Sequence, residues 1–174
     1  MDPIKGVDLL IHAFNNLHYK NDEWQLVIIG TKNKYRNELI KYAEKSICKE
    51  KIFFIDPIFD EEKVKAYYFC DVFVIPSIFD AMTIVAVEAA ACGKPIIITK
   101  TSDFKEIYLS GGAIEADASI NGITKALSIA IDSNINDLKK IGTNGKYFVT
   151  KHYEWDNLAN IYENIFNLNF KKEN

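Results

Sequence analysis

Short runs of β-branched and aromatic residues alternate along this chain with segments whose apolar residues recur at helical spacing. The runs that predict strands are residues 24–29, 52–55, 72–75, 96–99 and 113–115. The segments that predict helices are residues 7–17, 35–48, 60–69, 83–92, 120–131, 138–149 and 155–166. Because the strand runs are continuous rather than alternating, we expect both of their faces to be covered, as in a parallel sheet. The pattern predicts an α/β fold with a doubly wound parallel sheet of about five strands, followed by C-terminal helices.

The start of the chain does not fit a complete sheet of this kind. Residues Met1, Asp2 and Pro3 lead almost directly into the first helical segment, which leaves no room for a strand before it. In a doubly wound sheet of strand order 3-2-1-4-5-6, the strand that precedes the first helix is central. We therefore expect the first central strand to be missing from this chain.

Two helix-related details follow from the same pattern. Asp60 stands at the start of the segment 60–69 and is expected to be its N-cap, because a short acidic side chain can accept from free backbone N–H groups. Gly93 follows the segment 83–92 and is expected to end that helix. A further expectation is that the aromatic residues Tyr153, Trp155, Tyr162 and Phe166 pack the terminal helix against the rest of the fold.

Composition and charge narrow the class of protein. The chain has 174 residues, 48% of them hydrophobic, which predicts one domain spanning 1–174. A net charge of -3 gives no general positive field, so nucleic acid is not expected as a partner. Cys48, Cys70 and Cys92 have no CxxC spacing, which argues against a disulfide framework or zinc site and favours a cytoplasmic location. No run reaches the roughly 20 apolar residues of a spanning helix, so any membrane contact is expected to be peripheral.

The candidate chemistry is concentrated between residues 76 and 95, in the stretch PSIFDAMTIVAVEAAACGKP. It reads as the end of a strand at Pro76, a loop that contains Asp80, and a helix that carries Glu88. Ligands of open α/β sheets bind beyond the carboxyl ends of the strands, and helix N-termini attract anions. A carboxylate can accept from two hydroxyl groups at once, which suits a ribose diol or the vicinal hydroxyls of a sugar.

Each of these residues also has a plain structural interpretation. Ser77 or Asp80 could simply cap the helix, and Glu88 could be a solvated surface carboxylate. Lys5, next to a glycine, could be an ordinary surface lysine. Gly30 is a single glycine, too little for the fingerprint of a dinucleotide-binding domain. From spacing alone these alternatives remain open.

The stretch 76–95 closely resembles the nucleotide-sugar site of the retaining glycosyltransferases of family 4, whose signature is PS..E, seven residues, then EA.A.G.PVI. The likeness continues in KGVDLLIHAF at 5–14, in LVIIG at 26–30 and in the stretch 51–77 that leads into the signature. The resemblance implies the C-terminal, Rossmann-like half of a GT-B enzyme. It also implies that the N-terminal half, which binds the acceptor, is a partner absent from this chain.

The resemblance assigns a role to particular residues. It implies that Glu88 holds the ribose diol of the donor, that Lys5 neutralises the diphosphate, and that Asp80 contacts the transferred sugar. Lys5 and Asp80 are the candidates for assisting catalysis. The remaining implied donor contacts are the backbone of Ala81, Met82 and Thr83 at the sugar and diphosphate, Gly30, Thr31 and Pro57 at the base, and Ile84 on the nucleoside. No cofactor and no tightly bound metal are expected.

The chain departs from the family pattern beside these residues. Asp80 replaces the usual glutamate, and Ala81-Met82-Thr83 replaces glycines that let the backbone approach the sugar. We expect a donor-binding domain of a glycosyltransferase that is inactive on its own. The alternative is a non-catalytic nucleotide-sugar-binding or interaction module of the same fold. The base and sugar of the donor stay open, as does the acceptor, which could be a glycan or a lipid.

Overall fold

The computed structural model describes residues 1–18, 23–81 and 83–170. A short 3-10 helix, Pro3–Lys5, opens the chain. The α-helices are α1 (Val7–Asn16), α2 (Lys34–Ala43), α3 (Asp60–Phe69), α4 (Ile84–Ala91), α5 (Lys105–Leu109), α6 (Ile120–Asp132), α7 (Ile135–Tyr153) and α8 (Trp155–Phe170). The strands are β1 (Leu26–Ile29), β2 (Ile52–Ile55), β3 (Phe73–Ile75), β4 (Ile96–Thr99) and β5 (Ala113–Ala116). A helix therefore follows each strand, which confirms the α/β succession.

The strands are parallel and lie in two groups. β1 pairs with β2, with Leu26 opposite Ile52. β3, β4 and β5 form a second sheet in that order, with Ile75 opposite Ile98. In the described residues β1 and β3 are not paired with each other. Parallel strands with a helix after each one are the elements of a doubly wound sheet, and in the described residues they form two sheets rather than one.

Helices cover the strands from two sides and define two apolar clusters. The first cluster joins α1, α2 and α6 to the strands and includes Ile11, Ile97 and Ile123, all fully buried. The second joins α3, α4, α5 and α7 and includes Ala89 and Ile107. Burial of such side chains is the main contribution to the stability of the fold. It also fixes the position of α4, the helix that carries the candidate carboxylate.

The expectation that every strand is covered on both faces is wrong for β1 and β2. All four residues of β4 are buried, but alternate side chains of the first two strands are 40 to 48% exposed. These exposed side chains are Val27, Ile29, Phe53 and Ile55. The helices of the first cluster pack on the opposite face of these strands, where Leu26, Ile28 and Ile52 are buried, and among the described residues no such packing covers the alternate side chains. A continuous apolar run in the sequence therefore does not show whether a strand is buried on both faces or on one face only.

Two details of the predicted helices also need correction. Asp60 is the first residue of α3 rather than its N-cap, because the cap position belongs to Phe59, whose side chain makes no capping hydrogen bond. The helix predicted at 35–48 ends at Ala43, after which the chain forms turns and a 3-10 helix, Lys49–Lys51. Gly93 follows the C-cap of α4 and has a φ of 71°, in the left-handed region that ends helices.

The C-terminal helices are longer than predicted. α7 begins earlier because Asn134 is its N-cap and accepts from the backbone N–H groups of Asn136 and Asp137. The short helix α5 was not predicted, since five residues do not establish a helical period.

The aromatic residues of α8 do not pack as expected. Trp155, Tyr162 and Phe166 are each more than half exposed, so the expectation that they pack against the rest of the fold is wrong. Tyr153, at the end of α7, does pack, with its ring 5.8 Å from that of Phe104.

Among the helices that the structure describes, α8 included, none combines the length and apolar character required to span a bilayer.

Candidate functional site

The loop between β3 and α4 is anchored to the carboxyl end of the neighbouring strand β4. The carbonyl oxygen of Ser77 accepts hydrogen bonds from the hydroxyl groups of Thr99, at 2.6 Å, and Thr101, at 2.7 Å. The backbone N–H of Asp80 donates to the carbonyl oxygen of Thr101 at 3.1 Å. Ser77 and Thr99 are both buried. Because buried polar groups of this kind are costly to leave unpaired, this network fixes the path of the loop.

The turn at residues 4–6 packs against the same loop. Gly6 has a φ of 61°, and a Cβ atom at this position would lie 2.1 Å from the carbonyl oxygen of Pro76. The backbone N–H of Ile78 donates to the carbonyl oxygen of Ile4 at 2.8 Å. Only glycine allows this close approach, so the Lys-Gly pair noted in the sequence sets the position of the lysine over the loop.

Lys5 and Asp80 form an ion pair at the carboxyl end of β3. The ammonium group of Lys5 lies 2.7 Å from Oδ2 of Asp80. The side chain of Asp80 is 13% exposed, and that of Lys5 is 50% exposed. The hydroxyl group of Ser77 lies 3.4 Å from the same carboxylate oxygen. Neither Ser77 nor Asp80 caps α4, so the capping interpretation does not hold for them.

The N-terminus of α4 is left without a side-chain cap. Thr83 occupies the N-cap position but makes no capping hydrogen bond, and the first turn contains no acidic residue. Thr83 is buried, and its hydroxyl oxygen has no hydrogen-bond partner among the described residues. The first N–H groups of a helix lack intrahelical partners and carry a partial positive charge. This end of α4 can therefore accept an anion. Met82, which was predicted to belong to the site, lies outside the described residues.

Glu88 lies one turn into α4 and is bound to two residues of α3. The hydroxyl group of Tyr67 donates to Oε2 at 2.8 Å, and the ammonium group of Lys63 lies 2.7 Å from Oε1. Burial and the hydrogen bond to Glu88 raise the pKa of Tyr67, so its hydroxyl group remains a donor at neutral pH. The Glu88 side chain is 35% exposed. It is thus a positioned carboxylate and not the solvated one that the sequence left possible.

The residues predicted to line the base follow the carboxyl ends of β1 and β2. Gly30 and Thr31 come directly after β1, and Pro57 lies two residues beyond the end of β2. The amino group of Met1 donates to the hydroxyl group of Thr31 at 2.8 Å. Because Lys5 pairs with Asp80 only a few residues later, the segment 1–5 connects this group of residues to the loop after β3. All predicted site residues that the structure describes therefore lie at the carboxyl edge of the strands.

An ion-pair cluster beside the β1 and β2 loops was not found from the sequence. Asp56 lies 2.7 Å from the ammonium group of Lys32 and 3.2 Å from the guanidinium group of Arg36. The hydrogen bond from Lys32, followed by the charges of Lys32 and Arg36, holds the pKa of Asp56 below its ordinary value. Arg36 is buried, and its Nε has no partner among the described residues. The sequence did contain one signal for this cluster. Asp56 directly follows β2, and residues that follow parallel strands lie together at the carboxyl edge of the sheet.

The chain is similar to known glycosyltransferases in sequence and in fold. A lipopolysaccharide 1,2-N-acetylglucosaminetransferase of Salmonella typhimurium is 28% identical over 94% of this chain and 45% of its own length. The C-terminal domain of a group 1 glycosyl transferase of Francisella tularensis has a TM-score of 0.78 and 25% identity, over 89% of this chain and 83% of that domain. HepE of Anabaena, in complex with UDP-glucose, has a TM-score of 0.81 at 18% identity, over 96% of this chain and 46% of its own.

The chain thus spans less than half the length of the curated relatives that it matches. Its Rossmann-like architecture is that of the C-terminal domain of GT-B glycosyltransferases, which confirms the expected fold. The family described as "Glycosyl transferases group 1" matches residues 1–148, which include every predicted site residue. The chain belongs to this family of glycosyl transferases.

Proposed function

We propose that this chain is the donor-binding part of a glycosyltransferase and binds a nucleoside-diphosphate sugar at the carboxyl edge of its strands. The observation that carries the proposal is the uncapped N-terminus of α4, where the buried hydroxyl group of Thr83 has no partner among the described residues. A diphosphate would satisfy both the hydroxyl group and the free N–H groups of the first turn. Ala81, two residues before Thr83, and Ile84, directly after it, would contact the sugar and nucleoside.

Lys5 supplies the cation for the diphosphate in this proposal. It is half exposed and already held over the loop by its ion pair with Asp80. A bound diphosphate would share or take over this ammonium group, because it carries more charge than one carboxylate. The cation would also stabilise the charge that develops on the leaving nucleoside diphosphate. Asp80, once released, could accept a hydrogen bond from a hydroxyl group of the sugar.

Glu88 binds the ribose diol in this proposal, and the loops after β1 and β2 line the base. The hydrogen bond from Tyr67 already orients this carboxylate, so it has less freedom to lose when a diol binds to it. Gly30 and Thr31 follow the carboxyl end of β1, and Pro57 lies just beyond the carboxyl end of its partner strand β2. The base would therefore bind on the side of β1 and β2, while the diphosphate binds at α4.

The names of relatives support the class of ligand. HepE is described in complex with UDP-glucose, and a relative from Mycolicibacterium smegmatis is described as GDP-mannose-dependent. We extend to this chain only what these two share, a nucleoside-diphosphate sugar. Transfer to an acceptor, with retention of configuration, is proposed for the whole enzyme. Because the chain spans less than half of its relatives, we expect the isolated chain to bind a donor without transferring it.

A thermal-shift panel tests this proposal directly. The chain would be heated with UDP, GDP or ADP at increasing concentrations, alongside the corresponding nucleosides and inorganic phosphate. A ligand that binds the native state raises the melting temperature by mass action, even at millimolar affinity. We expect one nucleoside diphosphate to stabilise the chain more than its nucleoside does. Equal, negligible shifts with every diphosphate would contradict the proposal.

A further inference from the structure

Two residues of α3 bind the carboxylate of Glu88. Lys63 and Tyr67 lie four positions apart, so their side chains share one face of the helix. Tyr67 donates to Oε2 at 2.8 Å, and the ammonium group of Lys63 lies 2.7 Å from Oε1 and 2.7 Å from Oε2. Both oxygens of the carboxylate are therefore occupied in the structure.

This occupancy matters for a ligand that presents two hydroxyl groups. A carboxylate has about four acceptor positions, and these contacts use three of them. One position on Oε1 remains, whereas a vicinal diol requires one position on each oxygen. A ribose diol can therefore bind to Glu88 in full only if one of the two present donors withdraws.

The two donors differ in their freedom to withdraw. Tyr67 is buried, and its ring packs edge-to-face on Phe73 with the ring centres 5.2 Å apart. Its hydroxyl oxygen can move away from Glu88 only if the ring moves, which would disturb that packing. Lys63 has a side chain that is 38% exposed and has several rotatable bonds. Its ammonium group can leave the carboxylate at the cost of one partly screened ion pair.

We infer that Tyr67 orients Glu88 for the ribose diol and that Lys63 occupies the diol position until the nucleotide displaces it. The inference rests on the proposed function, because it assigns to Glu88 the ribose of a bound donor. Neither Tyr67 nor Lys63 was identified as a site residue from the sequence. Tyr67 is a positioning residue that acts through Glu88, and Lys63 is a competitor for the same two oxygens.

The test compares a ribonucleotide with its 2′-deoxy analogue. The probes are the diphosphate that binds the chain best, from UDP, GDP and ADP, and the corresponding 2′-deoxynucleoside diphosphate. Calorimetry gives the two dissociation constants. The dissociation constant of the 2′-deoxynucleotide divided by that of the ribonucleotide measures recognition of the diol. Substitution of a residue with a merely structural role would weaken the binding of both ligands equally and would leave the ratio unchanged.

The variant Tyr67→Phe removes only the hydroxyl group and keeps the buried ring. We expect its ratio to fall about fivefold, mainly through weaker binding of the ribonucleotide, because one net hydrogen bond to the carboxylate is lost. The matched control is Tyr68→Phe, since Tyr68 is the next residue on α3 and its side chain is exposed. This control is expected to keep the wild-type ratio.

The variant Lys63→Met removes the competitor and is expected to raise the ratio about threefold, since the net value of one exposed ion pair is small. Lys65→Met is its control. It removes the same charge from the same helix, but Lys65 faces Glu61, at 3.7 Å, instead of Glu88. The control separates competition at Glu88 from a general loss of positive charge.

The possible results are distinct. Opposite changes of the ratio in Tyr67→Phe and Lys63→Met, with both controls unchanged, support the inference. If the wild-type chain discriminates between the two nucleotides but either variant keeps the wild-type ratio, the inference is overturned and the proposed function is not affected. A wild-type chain that binds both nucleotides equally removes Glu88 as the ribose contact. A wild-type chain that binds no nucleotide overturns the proposed function and the inference with it.

Discussion

The two groups of strands in this fold are packed very differently. In the sheet of β3, β4 and β5, the central strand buries all four of its side chains between helices on both sides. In the pair of β1 and β2, every second side chain is partly exposed on one face. The same kind of apolar run thus forms a fully buried strand in one place and a half-covered strand in the other.

The difference shows which part of the candidate site is preorganised. The loop after β3, the ion pair of Lys5 with Asp80, and the start of α4 all rest on the well-packed sheet. The loops with Gly30, Thr31 and Pro57 rest on the half-covered pair. We therefore expect the diphosphate and ribose contacts to be rigid, and the base contacts to depend more on the surroundings of β1 and β2.

The largest expected effect comes from truncating the same residue type in each sheet. Ile98→Ala in β4 removes a side chain that is 2% exposed and should cost about 2 to 5 kcal/mol of unfolding free energy. Ile55→Ala in β2 removes a side chain that is 42% exposed and should cost under about 1 kcal/mol. Urea denaturation measures both. Equal losses would show that the two sheets are packed equally well.

A smaller difference is expected between two glycines with similar backbone angles. Gly6→Ala and Gly93→Ala both place a side chain at positive φ, which costs about 1 to 2 kcal/mol. At Gly6 the new Cβ would also overlap the carbonyl oxygen of Pro76, whereas at Gly93 it meets only a side-chain atom of Lys146 at 3.9 Å.

Gly6→Ala should therefore be the more destabilising variant, by about 2 kcal/mol. The free energy of unfolding of both variants measures this difference. If Gly93→Ala proved equally costly, the Gly6 turn would not be packed on the loop after β3 as described.

A still smaller effect on stability is expected for Lys5→Met. The ion pair with Asp80 is partly exposed, so its loss should change the free energy of unfolding by less than about 1 kcal/mol. The affinity for a nucleoside diphosphate should nevertheless fall about fivefold at low salt and less at high salt. Titration calorimetry at two salt concentrations measures this, with Lys139→Met on α7 as the control. A loss of affinity that is equal in both variants would contradict a specific role for Lys5.

The smallest effect concerns the charge cluster beside β1 and β2. The pKa of Asp56 is lowered in the folded chain, first by the hydrogen bond from Lys32. The group therefore favours the folded state at neutral pH, and this contribution is lost as the pH falls below the ordinary value of 3.8. Lys32→Met should raise the pKa of Asp56, as followed by NMR of the carboxyl group. An unchanged pKa would mean that Lys32 does not hold this carboxylate in solution.

Much of the fold could be predicted from the sequence, because continuous apolar runs indicate buried strands and apolar residues at helical spacing indicate helices. The strands at 52–55 and 96–99 were predicted with the bounds that the structure shows. The uncovered face of β1 and β2 could not be predicted, since apolar residues do not reveal whether a helix lies over them. The cap of α3 was also missed, because the cap position belongs to Phe59, whose side chain cannot accept a hydrogen bond and therefore gives no capping signal in the sequence.

The candidate site was predicted in part. The family likeness selected Lys5, Asp80 and Glu88, and the structure shows each of them in a defined polar contact at the carboxyl edge of the strands. Their roles toward a ligand remain predictions. Lys63 and Tyr67 were not selected, because a contact between α3 and α4 depends on how two helices pack and leaves no spacing in the sequence.

The most direct test of the account is a calorimetric titration of Glu88→Gln with the nucleoside diphosphate that binds the wild-type chain best. Glutamine keeps the size of the side chain but can no longer accept at both oxygens. Glu38→Gln on α2, where the side chain is exposed, is the control. We predict that affinity falls about tenfold or more for Glu88→Gln and is unchanged for Glu38→Gln. Unchanged affinity in Glu88→Gln would contradict the assignment of Glu88 to the ribose of a bound donor.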